Sequence, residues 1–411
     1  MKKINFGVVG YGQRGDGMTR GILLKLDEVN VVAVCDEYKD RAEKAFEDVK
    51  AARGNEPFIT TDYRELLSRP EVDAVYVATS WETHVEVAIA ALRAGKAVAL
   101  EVGGAYNIDE LTELVRAYEE TRTPFMLMEN CCYNKSELLV TSVARSGKLG
   151  TIVHCDGAYR HDLREEISSG NIIRHYRLRN YMLRNAENYP THELGPIAKL
   201  LNINRGNRML SLVSVSSKSC GLEEYVANNE ELLAKDPSLR GARFKQGDIV
   251  DTIITCAGGE TIHLRLDTTT PSFYSRNFNV RGTKGAYFQD FNGFIFDGED
   301  DESMNSSAHV AQLLDNAEKM KEYLPKVWRD MTPEEIKAGH GGMDILEFRA
   351  FVDCLLNGKE MPIDVYDAAS WMCITALSEQ SIAQGGAPQA IPDFTHGMWT
   401  RRAPLDVLEF N

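Results

Sequence analysis

Hydrophobic positions in the first third of the chain form short, mostly apolar runs separated by stretches with helical spacing, the clearest of which extends from Thr83 to Ala94. The apolar runs lie at Ile4–Val9, Val31–Cys35, Asp73–Ala78, Lys96–Glu101 and Phe125–Met128. Strands that are apolar on both faces are typical of a parallel sheet covered by helices on each side. The pattern therefore predicts a doubly wound α/β domain over residues 1–130.

The pattern changes after Asn130, where runs of neighbouring strands replace the alternation of strand and helix. Strand-like segments lie at 151–160, 210–217, 249–256, 260–268, 276–282 and 285–297. Helical patterns cover 192–203, 308–322, 342–357 and 366–384, and the polar stretch 219–247 is predicted to be a long excursion. Adjacent strands with covering helices predict an α+β domain with a mostly antiparallel open sheet over residues 131–411.

A glycine-rich turn follows the first apolar run, and its sequence is Gly10-Tyr11-Gly12-Gln13-Arg14-Gly15. In a strand–turn–helix unit, the first glycine permits the turn, the second admits a pyrophosphate and the third lets helix and strand pack closely. The helix that begins here also offers free N–H groups to phosphate. We therefore expect this turn, including Gln13 and Arg14, to bind a dinucleotide, the alternative being a purely structural turn.

Asp36 ends the second apolar run, twenty-one residues after Gly15. A carboxylate at this point accepts hydrogen bonds from a ribose 2′-OH and repels a 2′-phosphate, which favours NAD over NADP. Neither Glu37 nor Tyr38, which follow it, provides a compensating positive charge. The alternative is that Asp36 only caps the loop after the second strand.

Ligands of doubly wound sheets bind beyond the carboxyl ends of the strands. The remaining ends contain polar and aromatic residues that we expect to contact the cofactor, together with Tyr189 from the second domain: Ser80, Trp81, His84, Glu101, Val102 and Asn130. Two of these have structural alternatives. Trp81 is equally suited to packing between domains, and Asn130 to the turn that ends the first domain.

Composition narrows the class of partner. The 411 residues carry a formal net charge of −15, which disfavours nucleic acid and anionic membranes. The eight cysteines form no CxxC pair, which indicates free thiols in a reducing compartment. Thr191–Gly195 starts like a zinc-protease motif but lacks the second histidine, so we predict no metal site.

With no apolar run of membrane-spanning length and no leader segment, the default expectation is a cytoplasmic protein.

Nine short motifs spread over nearly the whole chain have a distinctive order: Ser80–His84, Glu101–Val102, Met128–Asn130, Tyr159–Arg164, Asn188–His192, Leu201–Gly206, Tyr274–Arg276, Gly339–Asp344 and Asp364–Ala369. In this order they resemble the glucose-fructose oxidoreductase/inositol dehydrogenase/MocA superfamily. Within it, they are similar to the NAD-dependent glycoside hydrolases of family 109, typified by bacterial α-N-acetylgalactosaminidases.

The loop between Arg164 and Tyr189 matches these relatives poorly, and the chain departs from them at two further places. Glu101-Val102-Gly103 stands where ordinary dehydrogenases of the superfamily have Glu-Lys-Pro with a catalytic lysine. The hydrolase branch also has valine there, followed by proline rather than glycine. Glu193 stands where the hydrolase branch typically has glycine. The first departure favours a hydrolase, and the second bears on the identity of the substrate.

The resemblance implies a redox-assisted hydrolysis. In it, the sugar is oxidised at C3 by NAD, a base removes the C2 proton, the C1 substituent is eliminated, water adds and the hydride returns. His192 is the expected base, in the first turn of a helix capped by Thr191 or Asn188, and Tyr189 lies on the same face. Tyr159, Arg177 and Tyr274 are expected to bind the substrate. The alternatives are a structural histidine, aromatic packing and, for Arg177 and Arg179, a solvated basic stretch.

Two other functional classes stay open at this point. A true NAD-dependent sugar or polyol dehydrogenase would share the fold and the cofactor but lacks its lysine here. A dinucleotide-binding sensor or scaffold is disfavoured by the tyrosine, histidine and arginine motifs of the second domain. In either enzyme class the partner is a small-molecule glycoside or sugar, and an exposed sheet face would favour a homo-oligomer, a dimer or larger.

Overall fold

The computed structural model describes residues 3–298 and 307–408. Up to Asn134 the strands are β1 Ile4–Val9, β2 Val29–Cys35, β3 Phe58–Thr60, β4 Ala74–Val77, β5 Ala97–Glu101 and β6 Phe125–Met128. The helices of this part are α1 Gln13–Gly21, α2 Lys39–Arg53, α3 Tyr63–Leu67, α4 His84–Arg93 and α5 Ile108–Thr121. The predicted alternation of strand and helix is therefore present.

The next part contains the helices α6 Lys135–Arg145, α7 Arg164–Ser168, α8 Gly170–Ile173, α9 Arg177–Leu183, α10 Thr191–Leu200, α11 Gly221–Ala227 and α12 Glu230–Lys235. Its strands are β7 Ile152–Arg160, β8 Met209–Ser216, β9 Ile249–Cys256, β10 Thr261–Asp267, β11 Asn279–Gly282, β12 Gly285–Phe288 and β13 Gly293–Phe296. After residue 307 come α13 Lys326–Arg329, α14 Pro333–Lys337, α15 Met343–Asn357, α16 Val365–Ala383 and β14 Gln389–Ala390.

The first sheet is parallel throughout and has the order β3-β2-β1-β4-β5-β6. The strands β4, β5 and β6 are completely buried, which explains their unbroken apolar sequences. The strand order reverses between β1 and β4. Ligands of open α/β sheets bind at such a reversal, and the glycine-rich turn lies at the carboxyl end of β1.

The chain forms two compact units that are not continuous in sequence. The first contains the chain up to Asn134 and a later segment, Val327–Ala369, and the second contains Lys135–Lys326 and Ser370–Leu405. The later segment belongs to the first unit because α15 packs on its sheet. Phe351 lies 6.0 Å from Phe6 and Phe348 lies 5.3 Å from Tyr76, measured between ring centroids. These two units differ from a single division at residue 130, and the domains 1–130 and 131–411 stay a prediction.

The second unit is built on an eight-stranded sheet with the order β13-β12-β11-β7-β10-β9-β8-β14. The pair β7–β10 is parallel and the other neighbouring strands pair antiparallel. This confirms the predicted mostly antiparallel open sheet. Helix α10 packs directly on β7 because Gly157 leaves room for it: a Cβ at Gly157 would lie 2.9 Å from the Cβ of Glu193.

Several predicted elements differ in detail. The polar stretch 219–247 contains α11 and α12, and the poorly patterned segment before Tyr189 contains the short helices α7, α8 and α9. The predicted helix 308–322 is a pair of 3-10 segments, Ser307–Gln312 and Asn316–Tyr323. The predicted strand 285–297 is the hairpin β12–β13, which turns at Asn292, whose φ is +45°. Short helices and tight hairpins contain too few residues to show a period.

Candidate active site

Backbone geometry in the turn after β1 requires two of its glycines. Gly10 has a φ of +96°, and a Cβ there would lie 2.5 Å from the carbonyl oxygen of Ala78. A Cβ on Gly15 would collide with the carbonyl oxygen of Gly10. A side chain is thus excluded at these two positions, and α1 begins directly after Gly12 with no side chain capping its N–H groups. The turn fits the pyrophosphate of a dinucleotide.

Asp36 lies at the end of β2 and is almost completely buried. One carboxylate oxygen accepts the backbone N–H of Tyr11 at 2.6 Å, and the other accepts that of Tyr38 at 2.9 Å. Asp36 therefore ties the glycine-rich turn to the end of β2. Each carboxylate oxygen has a further lone pair for a ribose hydroxyl, so the structural and cofactor-binding roles are compatible.

We expect Asp36→Ala to weaken NAD binding by about tenfold or more, since a hydrogen bond to a charged group contributes about 1.5–3 kcal/mol. Discrimination against NADP should fall at the same time, because the charge that repels the 2′-phosphate is gone. Titration of both dinucleotides against the purified protein measures the two effects. Glu37→Ala, at the exposed neighbouring position, is the matched control. Unchanged NAD affinity in Asp36→Ala would remove this carboxylate from the cofactor site.

Arg14, in the same turn, joins a buried network of polar side chains. Its Nε lies 2.8 Å from Oε1 of Glu101, and its Nη1 lies 3.0 Å from Oδ2 of Asp344. Asp344 also accepts the side-chain amide of Asn130 at 2.7 Å and lies 2.8 Å from Nδ1 of His340. Burial opposes the charge on Asp344, but Arg14 and His340 outweigh it and hold the pKa of Asp344 well below its usual range.

This network gathers three of the predicted cofactor residues, Arg14, Glu101 and Asn130, in the first unit. It also contains Asp344, whose role sequence reasoning did not assign although its motif was noted. The side-chain amide of Asn130 is engaged by Asp344, and Glu101 also accepts the phenol of Tyr76 at 2.6 Å. The cofactor contacts of these residues, and those of Gln13, Ser80 and Val102, stay predictions.

Trp81 and His84 pack against Gly103, at the position where the chain departs from its relatives. A Cβ on Gly103 would collide with the indole of Trp81 and lie 3.0 Å from Cε1 of His84, and its φ is +151°. Glycine at 103 is therefore needed to accommodate these two rings. Burial lowers the pKa of His84 to about 4, so the imidazole is neutral at physiological pH. Direct contacts of either ring with the cofactor stay predictions.

Three aromatic rings of the second unit converge at the start of α10. The ring of Tyr189 lies 4.6 Å from that of His192, and the ring of Tyr159 lies 4.9 Å from Tyr189 and 5.5 Å from His192, all between centroids. Tyr159 and Tyr189 are largely buried, whereas His192 is partly exposed. The arrangement places an imidazole beside two phenols, which suits proton transfer.

His192 is the second residue of α10, as its predicted place in the first turn requires. The predicted side-chain cap is wrong: Pro190 occupies the N-cap position and no side chain caps the helix. Thr191 is already helical, and the side-chain amide of Asn188 instead donates to Gln246. The ring of Pro190 fixes its backbone φ near the helical value, but it accepts no hydrogen bond from the N–H groups of the first turn as a polar cap would.

Arg177 reaches the same cluster from α9. Its guanidinium carbon lies 5.1 Å from the ring centroid of Tyr189, and Nη1 lies 2.8 Å from Oε1 of Glu166. Arg177 is buried, while Arg179 two residues later is exposed. Of the two arginines, the structure therefore places Arg177 in the cluster and leaves Arg179 on the surface. A buried guanidinium beside a phenol is a strong donor for oxygen atoms of a ligand.

Tyr274 and His161 complete the exposed side of the cluster. Their rings lie 5.2 Å apart, and Tyr274 lies 6.4 Å from Tyr159. The phenol of Tyr274 accepts from Arg276 at 2.8 Å, which fixes its orientation. Sequence reasoning did not select His161, although it lies two residues after Tyr159, and alternate residues of an extended chain share a face. Burial and the charge of Arg177 lower the pKa of His161, which favours its neutral form.

Together, the two units contain the parts of a dinucleotide-dependent enzyme: a glycine turn for a cofactor, and a separate cluster of tyrosine, histidine and arginine. Comparison with known families agrees. Residues 4–128 match the oxidoreductase family with an NAD-binding Rossmann fold. Residues 133–401 match the C-terminal domain of glycosyl hydrolase 109. The chain therefore belongs to glycoside hydrolase family 109, as the resemblance implied, and it is an NAD-dependent glycosidase.

Individual relatives agree with the family. The chain is 35% identical to an alpha-N-acetylgalactosaminidase of Tannerella forsythia, over 98% of this chain and 89% of that protein. It is 33% identical to a protein of the same name from Shewanella oneidensis, over 99% and 88% of the two chains. A solved levoglucosan dehydrogenase, in complex with NADH and L-sorbose, has the same fold, with a TM-score of 0.68, 17% identity, and coverage of 96% of this chain and 100% of that chain.

Within residues 3–298 and 307–408, the structure contains no helix that combines the length and the apolar character needed to cross a membrane.

Proposed function

We propose that this enzyme hydrolyses α-N-acetylgalactosaminides. The observation that supports the proposal is the buried guanidinium of Arg177 beside Tyr189 and His192, in a chain whose relatives include two alpha-N-acetylgalactosaminidases. A charged donor in a buried site binds the carbonyl oxygen of an acetamido group or a sugar hydroxyl. Carbohydrate is the class of substrate that the family defines, and the N-acetylgalactosamine unit is the proposed member.

Each residue of the cluster then has a role in the proposed reaction. NAD, when bound, supplies a reversible hydride acceptor that makes the C2 proton of the sugar acidic. His192 removes that proton, and Tyr189 donates to or accepts from the oxygen at the reacting carbon. Tyr159 and Tyr274 pack against the sugar ring, and Arg177 binds its oxygen atoms. Because the site does not rely on a pair of carboxylates on either side of C1, it differs from ordinary glycosidases.

A panel of nitrophenyl glycosides tests the substrate. We expect release of nitrophenol from the α-N-acetylgalactosaminide at a rate well above that from the glucoside, galactoside and mannoside. We also expect no stoichiometric rise in the absorbance of NADH, because the hydride returns in each turnover. Steady accumulation of NADH in proportion to product would instead identify a dehydrogenase. Cleavage of a different glycoside would keep the reaction class and replace the proposed sugar.

We further propose that the protein is a homo-oligomer in the cytoplasm. Support for oligomerisation comes from the outer face of the second sheet, where Ile253 and Val215 are more than half exposed. Exposed apolar side chains on the face of an open sheet are typical of surfaces that a second copy covers. Support for the compartment comes from the eight cysteines, which are all free. Light scattering of the purified protein measures the mass of the assembly.

A further inference from the structure

Two buried carboxyl groups lie on either side of the segment that carries Tyr189 and His192. Glu187 precedes Tyr189 by two residues, and Glu193 directly follows His192. Both side chains are almost inaccessible to solvent, with exposed fractions of 0% and 1%. The two carboxyl groups lie close enough to each other to share a hydrogen bond. Acidic side chains are seldom fully buried without a partner, so their presence on both sides of the expected base needs an explanation.

The chemistry of the pair requires a proton. Two ionised carboxylates contain no donor and repel each other, whereas one protonated carboxyl group donates to the other and leaves the pair with a single negative charge. Among the described residues, no side chain with a proton of its own to donate bonds to the carboxyl group of Glu187, and the backbone N–H of Tyr189 lies near it. A shared proton therefore supplies the missing donor, as it does wherever two carboxyl groups occupy one buried site.

Each partner is fixed to a different part of the second unit. The backbone N–H of Glu187 donates to Oγ of Ser378 at 2.8 Å, and its carbonyl accepts Oγ1 of Thr375 at 2.7 Å, both on α16. Glu193 is held on the sheet, where its carbonyl oxygen would lie 3.2 Å from a Cβ at Gly157. The carboxyl–carboxyl hydrogen bond thus joins α16 to α10 across the residues between them.

The residues between them need such a connection. Tyr189 lies outside regular secondary structure, and its backbone N–H reaches the carboxyl group of Glu187. We propose that Glu187 and Glu193 share one proton and act as positioning residues, closing the segment 188–192 so that Tyr189 and His192 keep their mutual geometry. This role rests on the proposed use of Tyr189 and His192 in catalysis. It adds a proton that must be present although it takes no part in the reaction.

The surroundings determine when that proton leaves. Burial raises the pKa of Glu187 to about 8, opposed by hydrogen bonding from the backbone of Tyr189 and from Glu193. Asp251 on β9 raises it further, and His263 on β10 lowers it. Tyr181 on α9 also interacts electrostatically with Glu187, and His192 directly precedes Glu193 in the sequence. The shared proton therefore holds Glu187 and Glu193 together at neutral pH, and we expect this connection to break as the pH rises past about 8.

Loss of this proton also affects stability. The folded chain keeps the proton up to about pH 8, whereas an unfolded glutamate releases it near pH ~4.3. The folded state thus binds more protons between these values, and this component of stability falls as pH rises from about 4.3 to about 8. Glutamine at either position supplies a permanent donor without a proton to lose. The melting temperature of Glu187→Gln should therefore rise relative to the wild type as pH increases through this window.

Infrared spectroscopy tests the shared proton directly in the full-length protein. We expect the wild type to show a carboxylic-acid band at pH 7 that disappears between pH 7 and 9, and the Glu187→Gln/Glu193→Gln double variant to lack it. Glu347, also buried with a raised pKa, contributes to the spectrum of both proteins and cancels in their difference. Glu230→Gln, a change at an exposed glutamate, is the matched control and should keep the band. The pH-difference spectrum of the wild type needs no variant to fold.

Kinetics tests the positioning role. We expect Glu193→Ala to lower kcat at pH 7 about tenfold and to leave NAD affinity unchanged. Glu193→Gln should keep kcat at pH 7 near the wild-type value. In Glu193→Gln, the decline of kcat at alkaline pH should also begin at least one pH unit higher than in the wild type. An unmoved alkaline decline, or equal kcat in the Ala and Gln variants, would overturn the positioning role. A wild type without the carboxylic-acid band would overturn the shared proton. A wild type that shows the band but cleaves no glycoside would contradict the proposed function and leave the proton in place.

Discussion

Hydrolysis in heavy water is expected to leave deuterium at C2 of the released sugar in nearly every turnover. Elimination through a C3 ketone must break the C2–H bond, and the proton that returns comes from a base in exchange with solvent. Direct displacement at C1, as in a glycosidase with two carboxylates, never breaks this bond. Proton NMR of the product distinguishes the two routes without any assumption about the rate-limiting step.

A conventional two-carboxylate glycosidase acting on the same substrate is the control and should give product without deuterium at C2. Free N-acetylgalactosamine incubated with the enzyme measures exchange that occurs after hydrolysis. Product that keeps its C2 proton fully would contradict elimination with a solvent-exchanging base. Oxidation of a free sugar without cleavage of any glycoside would favour a dehydrogenase.

Replacing His192 with alanine is expected to lower turnover by at least about a hundredfold, the usual loss when a general base is removed. The protein should still fold and bind NAD, because the glycine-rich turn and Asp36 belong to the first unit. Tyr189→Phe should also slow the chemistry, since it removes the phenol and keeps the ring beside His192. Single-turnover kinetics and NAD titration separate these effects.

His154→Ala is the matched control for this experiment. His154 is a partly buried histidine of β7 that lies 2.7 Å from Oγ1 of Thr261 and 3.2 Å from a carboxylate oxygen of Asp156, and it lies outside the Tyr159–Tyr189–His192 cluster. We expect its loss to change turnover by less than about threefold, as for a residue without a role in the chemistry. Near-normal turnover in a folded His192→Ala protein would show that another group is the base, and His161 would be the first to test.

The Rossmann part of the chain was predictable because its signals are local. Each buried strand is a short apolar run, and the Gly10–Gly15 turn and Asp36 lie at spacings that one supersecondary unit imposes. The proximity of Tyr189 and His192 was predictable because three residues separate them at the entrance to α10, although Tyr189 itself precedes the helix. The family, the fold class and the NAD cofactor were therefore available from the sequence and its motifs.

The rest depended on contacts between distant residues. Tyr159, Arg177 and Tyr274 are far apart in sequence, and only tertiary packing brings Tyr159 and Arg177 to Tyr189 and Tyr274 to Tyr159. The placement of Val327–Ala369 in the first unit could not be predicted either, because the hydrophobic pattern of a helix does not identify the sheet on which it packs. Asp344 shows the consequence, since it lies 330 residues from Arg14 and yet binds it.

By itself, the sequence determined the order of elements, the cofactor turn and the motif that carries the expected base, because these depend on backbone propensity and spacing along one element. Only the tertiary structure decided which arginine enters the cluster and what surrounds Glu187 and Glu193. Burial and neighbouring charge depend on the three-dimensional surroundings of a residue. The sequence alone does not show whether a glutamate is surrounded by water or by another buried carboxyl group.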